Sequence, residues 1–280
     1  MITVLGAGMI GSGFVRAMRR RGLDVRVWNR TATKARSLEA DGARAVDDAA
    51  EAVRGAKRVH IALSDDAAVD DVLERAQAGF AEGVVLVDHT TTSPTGAAAR
   101  FARWKTRGVT FQHAPIFMTP RNALESTGIM LASGERATFD ALAPELTPMT
   151  GKLVYVGAQP ERAAQLKLLG NLFLMFVTSG LSDFFRLAKA FGISKEEAAA
   201  LFDYFNPGAT VGARAQRMMS VAEPSWELSM ARKDARLMLE EIERHGGELA
   251  VLPAIAALMD KWIERGHGAD DWTVIGRDGV

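Results

Sequence analysis

A polar stripe on an otherwise apolar helical stretch is the first part of the chain where chemistry could be done. The stretch AAQLKLLGNLFLMFV covers residues 163–177, contains no proline, and carries Lys167, Gly170 and Asn171 at i, i+3 and i+4. These three residues, called the Lys167 stripe below, share one helix face. Burying an unpaired ammonium costs several kcal/mol, and glycine costs roughly 1 kcal/mol relative to alanine inside a helix. The stripe therefore predicts that another group lies against it.

A glycine fingerprint at the start of the chain predicts a site for the pyrophosphate of a dinucleotide. The fingerprint follows the first strand-like run and consists of Gly6, Ala7, Gly8, Met9, Ile10 and Gly11. Gly6 permits a tight turn, Gly8 lets the pyrophosphate approach the backbone, and Gly11 permits close packing of helix on strand. The motif alone is weak evidence, but its place inside a complete βαβ unit makes these residues a predicted cofactor site.

The end of the second strand-like run predicts which dinucleotide is preferred. An NAD site places an acidic residue there to bind the ribose hydroxyls. Here the run ends in VWNRT, with Asn29, Arg30 and Thr31, and Lys34 follows on the next turn. No carboxylate occupies the position, and Arg30 can pair with a 2′-phosphate. We therefore expect NADP(H), with these four residues around the phosphorylated ribose.

Strand and helix patterns alternate in the first part of the chain and give way to helices alone. Short β-rich runs occur at residues 2–6, 24–28, 43–46, 58–63, 83–88, 109–113, 128–133 and 151–156. Such alternation predicts a parallel sheet covered by helices on both faces. A long helix is expected over about 161–191, with others near 195–205, 228–245 and 249–265. We predict an α/β fold: a Rossmann-type NADP-binding domain over 1–160 and an all-α substrate and dimerisation domain over 161–280, joined by the long helix.

The composition restricts the location and the partners of the protein. Basic and acidic residues balance at 34 each, so no general attraction for nucleic acid or anionic membranes is expected. The absence of cysteine suits the cytoplasm and excludes thiolate metal sites. The five histidines lack metal-ligand spacing, so no metal is expected. The chain shows no signal-peptide pattern, and its longest apolar run, around 168–177, is short for a membrane span.

Several spaced motifs, in the right order, resemble the β-hydroxyacid dehydrogenase family. They are the N-terminal fingerprint, DHTTTSP at 88–94, Lys167 with Asn171, Lys233-Asp234 at the start of KDARLMLEEI, and GHGADDW at 266–272. The family includes 3-hydroxyisobutyrate dehydrogenase and glyoxylate/succinic semialdehyde reductases and is related to 6-phosphogluconate dehydrogenase. The resemblance implies hydride transfer between NADP(H) and a small semialdehyde or hydroxyacid. It also implies a homodimer formed through the helical domain.

The same resemblance implies roles for individual residues. Lys167 would be the catalytic proton donor and acceptor, since desolvation lowers the pKa of a lysine toward neutrality, and Asn171 would help to place the substrate. Gly170 would give the substrate or the cofactor room. Thr90 and Thr91 would line the substrate pocket beside the nicotinamide. The further cofactor contacts that it implies are Leu63, Ser64, Thr91 and Lys233.

One stretch departs from the family. The family's substrate-carboxylate cradle resembles DAPVSGG, whose small residues hold an anion with backbone amides. Here the matching stretch is HAPIFMT, so Phe117, Met118 and Thr119 replace the serine and the two glycines. Bulky side chains remodel such an anion nest and add apolar surface. We therefore expect these three residues to line a less polar substrate pocket.

Two alternative functions remain open at this point. Imine reductases share the two-domain plan and the NRT-type cofactor loop, and the apolar FMT stretch favours them. They usually carry aspartate or tyrosine where this chain has Lys167, which argues against them. An NADP-binding sensor without turnover is an alternative of another class. Such a protein would have little reason to keep Lys167 together with Asn171.

Overall fold

The computed structural model describes residues 1–220 and 223–280 and contains two compact units, Met1–Asn171 and Leu172–Val280. The division between them falls inside the long helix. The predicted domain boundary at 160/161 marks a different feature, the change from alternating strands and helices to helices alone. The first unit holds the sheets, and the second is helical.

The strands of the first unit form two sheets. Their bounds are β1 Ile2–Leu5, β2 Val25–Trp28, β3 Arg44–Ala45, β4 Arg58–Ile61, β5 Val85–Asp88, β6 Thr110–His113, β7 Ile116–Phe117, β8 Ile129–Ala132 and β9 Lys152–Tyr155. The first sheet has the order β3-β2-β1-β4-β5-β6, and its paired strands are parallel throughout. The chain order reverses between β1 and β4, and ligands bind beyond the carboxyl ends of strands at such a point. The second sheet, β7-β8-β9, pairs β7 antiparallel to β8.

Helices cover the sheets and form the second unit. Those up to residue 146 are α1 Met9–Arg20, α2 Ala32–Arg36, α3 Ala49–Val53, α4 Asp66–Ala76, α5 Pro94–Thr106, α6 Pro120–Glu125 and α7 Arg136–Leu146. The later ones are α8 Arg162–Ala190, α9 Lys195–Ala200, α10 Val211–Met218, α11 Leu228–Arg244 and α12 Leu252–Trp262. A π-helical turn, Ile263–His267, continues α12. The predicted fold class, a Rossmann-type domain followed by a long helix and a helical domain, is confirmed.

The predicted strands are all present, each shortened by a residue or two at its ends. Strand β7 was not predicted, because it has only two residues, follows Pro115, and lacks a run long enough to show alternation. Helix α10 was not predicted either. Its sequence, VGARAQRM, has only eight residues and few large apolar side chains, and it was not among the predicted helices.

Burial on both faces explains the apolar character of the parallel strands. Successive side chains of a strand point to opposite faces. Accordingly, Val4 of β1 belongs to one core cluster with Phe14 of α1, and Leu5 belongs to another with Leu86 and Trp104. All five are at most 1% exposed. The sheet is therefore the rigid middle layer from whose carboxyl edge the functional loops start.

The second unit has a core of its own. Leu228 and Ala235 of α11 pack with Met259 and Trp262 of α12. The carboxylate of Asp183 on α8 accepts hydrogen bonds from the backbone N–H groups of residues 250–252, where α12 begins, at 2.6–2.9 Å. Carboxylates at a helix N-terminus satisfy donors that have no partner within the helix.

Helix α8 leaves many large apolar side chains exposed. They are Leu168, Leu169, Leu172, Phe173, Leu174, Met175, Phe176, Val177, Leu181 and Phe185. Residues 172–177 are consecutive, so they cover the whole circumference of the helix. Among the helices of residues 1–220 and 223–280, α8 is the one that is long and apolar enough to cross a bilayer, judged by length and composition alone. The apolar run that the sequence analysis judged short for a membrane span, residues 168–177, is only the central part of this 29-residue helix.

Candidate active site

The glycine fingerprint forms the turn between β1 and α1. Gly6 has a φ of 110°, and a Cβ there would lie 2.2 Å from the backbone oxygen of Ala62. A Cβ on Gly11 would lie 1.9 Å from the oxygen of Gly6, so the helix packs closely on the turn. At Gly8, in contrast, a Cβ would meet no described atom within 4 Å. The turn is thus closed on the protein side and open at Gly8, which suits a pyrophosphate lying against the backbone.

The N-terminus of α1 faces that open position. Gly8 is the N-cap residue, Met9 and Ile10 form the first turn, and no acidic residue lies in that turn. Met9 is 77% exposed. The first amides of an α-helix lack partners within the helix and carry partial positive charge. These residues can therefore hold an anionic group through their backbone.

A cavity of about 320 Å³ opens beside this turn and is called the Arg30 cavity below. The side chains and backbone that line it belong to Gly8, Trp28, Asn29, Arg30, Thr31, Lys34, Ala62, Leu63, Ser64, Ala68, Asp71 and Val72. It brings together three separately predicted groups: the fingerprint, the NRT stretch with Lys34, and the loop after β4. Arg30, Thr31 and Lys34 are exposed, and Thr31 caps α2 without a hydrogen bond from its own hydroxyl.

Asn29 has a different part from the three residues around it. Its Oδ1 accepts a hydrogen bond from the N–H of Ala7 at 2.9 Å, and its Nδ2 donates to the carbonyl oxygen of Thr31 at 3.0 Å. It therefore ties the fingerprint turn to the loop after β2. Its predicted contact with the cofactor stays a prediction, and in the structure its side chain shapes the Arg30 cavity.

The loops after β4 and β5 are also joined to one another. The backbone N–H of Leu63 donates to Oγ1 of Thr90 at 3.1 Å, and the N–H of Thr90 donates to Asp88 at 2.9 Å. Thr90 is 2% exposed, whereas Thr91 and Ser64 are exposed. Thr90 therefore fixes the two loops from inside, and Thr91 is the residue of the pair whose hydroxyl is open to a ligand.

The Lys167 stripe lies in the first turns of α8. Lys167 is 8% exposed, and its Nζ donates a hydrogen bond to Oδ1 of Asn171 at 2.9 Å. Nζ also lies 4.1 Å from the centre of the Phe117 ring. Burial lowers the pKa of Lys167 from its usual value, and the negative face of the ring offsets part of that effect by attracting the cation. A lysine so placed can hold or release a proton closer to neutral pH than a solvated one.

The group that lies against the Lys167 stripe is Phe117. A Cβ on Gly170 would lie 2.4 Å from Cζ and 2.6 Å from Cε1 of this ring. The expectation that Gly170 makes room for substrate or cofactor was therefore wrong, because a side chain of the protein already fills that space. The glycine is needed so that the aromatic ring can reach the lysine and stand over it.

Met118 and Thr119 are engaged elsewhere. Met118 packs against the core cluster that contains Phe14 and Val4. Thr119 is the N-cap residue of α6: its Oγ1 accepts from the N–H of Asn122, while the Asn122 side chain accepts from the N–H of Thr119. Of the three residues predicted to line the substrate pocket, the structure brings Phe117 to the Lys167 stripe. The bulky stretch therefore leads from β7 directly into the start of α6.

Lys233 belongs to the second unit. It lies on α11, where its Nζ pairs with Asp234 Oδ1 at 2.8 Å and its side chain is 44% exposed. Its predicted contact with the nicotinamide ribose stays a prediction. Within the part of the chain that the structure describes, no group of three His, Cys, Asp or Glu side chains could hold a metal ion.

Some residues around the Arg30 cavity were missed from the sequence. Asp71 and Val72 lie on α4 and line the cavity opposite the NRT stretch. Asp71 pairs with Arg75 at 3.1 Å, which neutralises part of its charge. The signal that could have found them is helical spacing, because α4 begins directly after the Ser64 loop and its first turns must border the same opening.

Comparison with known proteins agrees with this arrangement. The sequence-family model for the NAD binding domain of 6-phosphogluconate dehydrogenase matches residues 1–157, more than half of the chain. An uncharacterized oxidoreductase of Bacillus subtilis, YfjR, is 26% identical, with 98% of both chains covered. Glyoxylate/succinic semialdehyde reductase 1 of Arabidopsis thaliana is 25% identical over 97% of this chain and 95% of its own. The solved imine reductase of Streptomyces aurantiacus has a TM-score of 0.87 at 26% identity, covering 100% and 99%.

The structure combines the fingerprint turn, the switch point between β1 and β4, and the long helix. The matching domain family and the similar solved structure have the same architecture. The chain belongs to the β-hydroxyacid dehydrogenase family and is an NAD(P)-dependent oxidoreductase that acts on CH–OH or C=N groups.

Proposed function

We propose that the protein is an NADPH-dependent reductase in which Lys167 supplies the proton to a small carbonyl compound. The observation that carries the proposal is the buried lysine of the Lys167 stripe, hydrogen bonded to Asn171 and covered by Phe117. Keeping an ammonium at 8% exposure on an apolar helix is costly, so its presence needs a reason. A proton donor with a lowered pKa does explain it.

The preference for NADPH is supported by the Arg30 cavity. Arg30 and Lys34 bring two positive charges to its wall, and Thr31 adds a hydroxyl that does not cap its own helix. The position at the end of β2 that would bind an unphosphorylated ribose is Asn29, whose Oδ1 is bound to Ala7. Asp71 also lines the cavity, but Arg75 pairs with it. The side chains on this side of the Arg30 cavity are therefore suited to form charge-assisted hydrogen bonds with a 2′-phosphate.

The fingerprint fits the rest of the cofactor. The open position at Gly8 and the free amides of Met9 and Ile10 would hold the pyrophosphate. Leu63, Ser64 and Thr91 would border the remainder along the loops after β4 and β5. When bound there, a reduced nicotinamide would provide the hydride for the substrate carbon. Lys167 then gives a proton to the substrate oxygen, and Asn171 holds the lysine amine in place before and after this step.

The carbonyl substrates in the proposal are semialdehydes and related small compounds, and the reverse reaction is oxidation of the matching hydroxy compound. Phe117 makes the site less polar than a backbone nest would, because its apolar ring lies 4.1 Å from Lys167 Nζ. Compounds with an apolar group beside the carbonyl are therefore included together with the acidic semialdehydes.

A second candidate function is imine reduction. The apolar ring of Phe117 over Lys167 favours it, and so does the likeness to an imine reductase of the same length. Lys167 would then protonate nitrogen instead of oxygen. An NADP-binding sensor without turnover is the alternative of another class, and it leaves the buried lysine without a purpose.

We also propose that the protein is a cytoplasmic homodimer whose contact includes α8. A helix that is apolar all round is normally buried, and residues 172–177 of α8 are exposed around its circumference. The same helix carries Lys167 and Asp183, each with a polar partner inside the protein. Those bonds favour a second copy of the chain, and not a bilayer, as the cover of the apolar surface. Light scattering of the wild type against a Phe173→Glu, Phe176→Glu variant tests it, since the variant should be monomeric.

The experiment for the main proposal is an NADPH-oxidation screen with four substrate groups: short semialdehydes, glyoxylate, hydrophobic aldehydes and cyclic imines. Turnover of an aldehyde that is lost in Lys167→Ala supports the carbonyl reductase. Turnover of imines alone supports the second candidate. Tight NADPH binding without oxidation by any group would favour the sensor.

A further inference from the structure

Two buried histidines lie side by side in the core of the first unit and are called the histidine pair below. His60 is on β4, and His89 follows β5; they are 0% and 3% exposed. Their ring planes are nearly parallel, 9° apart, and their centres lie 5.2 Å apart. Nδ1 of His60 lies 2.9 Å from Nε2 of His89.

The hydrogen bonds of the histidine pair run in one direction. Arg58 Nε can only donate, so His60 Nε2 accepts from it at 2.9 Å and the ring proton of His60 is on Nδ1. That proton is donated to Nε2 of His89. His89 therefore carries its own proton on Nδ1 and donates it to the carbonyl oxygen of Ala114 at 2.8 Å. At the other end Arg58 pairs with Glu145 at 2.8 Å.

The carbonyl of Ala114, which ends this series of hydrogen bonds, lies at a junction between the two sheets. Ala114 follows β6, and after Pro115 the backbone enters β7 in the other sheet. The N–H of Ala114 donates to the backbone oxygen of Asp88 at 2.7 Å, so both backbone polar groups of this residue are hydrogen bonded. Phe117, at the end of β7, is the residue whose ring lies 4.1 Å from Lys167 Nζ.

We propose that His89, held in place by His60, is a positioning residue for the reduction, because it fixes the junction at Ala114 and through it the Phe117 ring against Lys167. The inference rests on the proposed function only in that Lys167 gives the proton. It assigns the histidine pair no contact with substrate or cofactor. Its effect is on the geometry of the site, where small displacements lower rates strongly.

Protonation of either imidazole would break the arrangement. A second proton on His60 would set two donors against each other at Arg58, and one on His89 would do so at His60. The charged or titratable groups that face the pair are Arg58 on β4, Arg21 after α1, Asp88 on β5, His113 on β6 and Glu145 on α7. Burial dominates, and it lowers the pKa of His60 well below the usual value and that of His89 to about 4. The junction should therefore stay fixed at neutral pH and loosen in acid.

The first test compares variants at His89 in the full-length protein. His89→Leu removes both hydrogen bonds, while His89→Asn keeps an N–H donor near the position of Nδ1. We expect His89→Leu to lower kcat/KM about tenfold to a hundredfold and to leave the NADPH dissociation constant within about twofold. His89→Asn should recover most of the loss. Wild-type kcat/KM in a folded His89→Leu protein would overturn the proposal.

A double-mutant cycle with Phe117→Ala separates positioning from a general loss of structure. If His89 acts through Phe117, His89→Leu should add little to the loss already caused by Phe117→Ala. Full additivity of the two losses would contradict the inference.

Histidine ¹⁵N NMR of the wild type provides a test that needs neither variants nor turnover. We expect both rings of the histidine pair to be neutral, protonated on Nδ1, from pH 7.5 down to about pH 5.5. A ring protonated on Nε2, or a charged ring at pH 6, would overturn the proposed hydrogen-bond direction. Loss of the proton-donor role of Lys167 would appear in the kinetics of Lys167→Ala and would leave these NMR signals as expected.

Discussion

The two ends of the candidate site are built on opposite principles. At the Arg30 cavity the ligand-facing groups, Arg30, Thr31 and Lys34, are exposed, and the backbone supplies the rest. At the Lys167 stripe the ammonium is buried and already has an amide and an aromatic ring as partners. Exposed charges can meet a phosphate without reorganising the protein, whereas a proton donor needs a lowered pKa and a fixed direction. Binding and chemistry therefore make different demands on burial, and the predictions below test that difference at each end.

The largest effect is expected from removing the buried amine. Lys167→Ala should lower the reduction rate by about 10²–10⁴-fold, because general acid catalysis is worth that much, while NADPH affinity changes little. Lys167→Arg should not restore the rate, since a guanidinium does not readily release its proton. Single-turnover rates and NADPH fluorescence titrations measure the two quantities. A wild-type rate in the alanine variant would contradict the assignment of Lys167.

At the other end, Arg30→Ala should act on binding and spare the chemistry. A charge-assisted hydrogen bond is worth about 1.5–3 kcal/mol, so the preference for NADPH over NADH should fall about tenfold or more. Arg30→Asp should lower it further by repelling the phosphate. The measurement is the ratio of kcat/KM for the two cofactors at fixed ionic strength. Arg36→Ala is the control, because Arg36 is on the same helix as Lys34 but pairs with Asp47. An equal preference in wild type and Arg30→Ala would remove the basis for the NADP assignment.

Two glycines of α8 give a matched pair of variants. In Gly170→Ala the new methyl would meet the Phe117 ring, with Cβ 2.4 Å from Cζ, so overpacking should destabilise the protein by about 1–3 kcal/mol and lower the rate. In Gly180→Ala the methyl meets no described atom within 4 Å, and the helix should gain roughly 1 kcal/mol. Thermal unfolding and kcat/KM of both variants are the measurements. Phe117→Ala should restore the stability of Gly170→Ala, and a failure to do so would place the contact elsewhere.

The smallest effect concerns the histidine pair and pH. The pKa of both rings is lowered in the folded protein, to about 4 for His89, so the unfolded chain takes up protons first as the pH falls. Their stabilisation is present above the usual histidine pKa of about 6.5 and is lost below it, by up to about 1.4 kcal/mol per pH unit for each ring. Urea unfolding at pH 7.5 and pH 5.5 measures it. The double variant His60→Gln/His89→Gln should show a smaller loss of unfolding free energy between pH 7.5 and pH 5.5, whereas the control His245→Gln, at an exposed histidine, should show the wild-type loss. An unchanged loss in the double variant would contradict this account.

Local patterns were enough to predict the fold and to pick out residues that line the Arg30 cavity. The glycine fingerprint and the NRT stretch are each a continuous piece of sequence, so each can be recognised without knowing what packs around it. The Lys167 stripe was visible too, because helical spacing puts residues 167, 170 and 171 on one face. What lay against the stripe was not visible. Phe117 reaches Gly170 across about fifty residues of chain, and only the folded β7 places its ring there.

Two other predicted site residues have partners that the sequence did not show, for the same reason. Thr90 was expected to line a pocket, but its hydroxyl accepts from Leu63, a bond between loops that are distant in sequence. Thr119 was expected at the substrate, and a capping box with Asn122 holds it at the start of α6. In both cases the side chain is polar and able to form a hydrogen bond, as the residue type indicates. Which group it bonds to could be known only from the folded structure.

The most direct test of the central claim follows the hydride itself. Wild-type protein is given NADPH carrying deuterium at the transferable position, together with an aldehyde or imine that was reduced in the screen, and the product is examined by mass spectrometry and NMR. The account predicts one deuterium on the former carbonyl or imine carbon, and a proton from solvent on the adjacent oxygen or nitrogen. It also predicts that Lys167→Ala forms this labelled product at least about a hundredfold more slowly. Protein that binds NADPH but forms no labelled product from any member of the panel would contradict it.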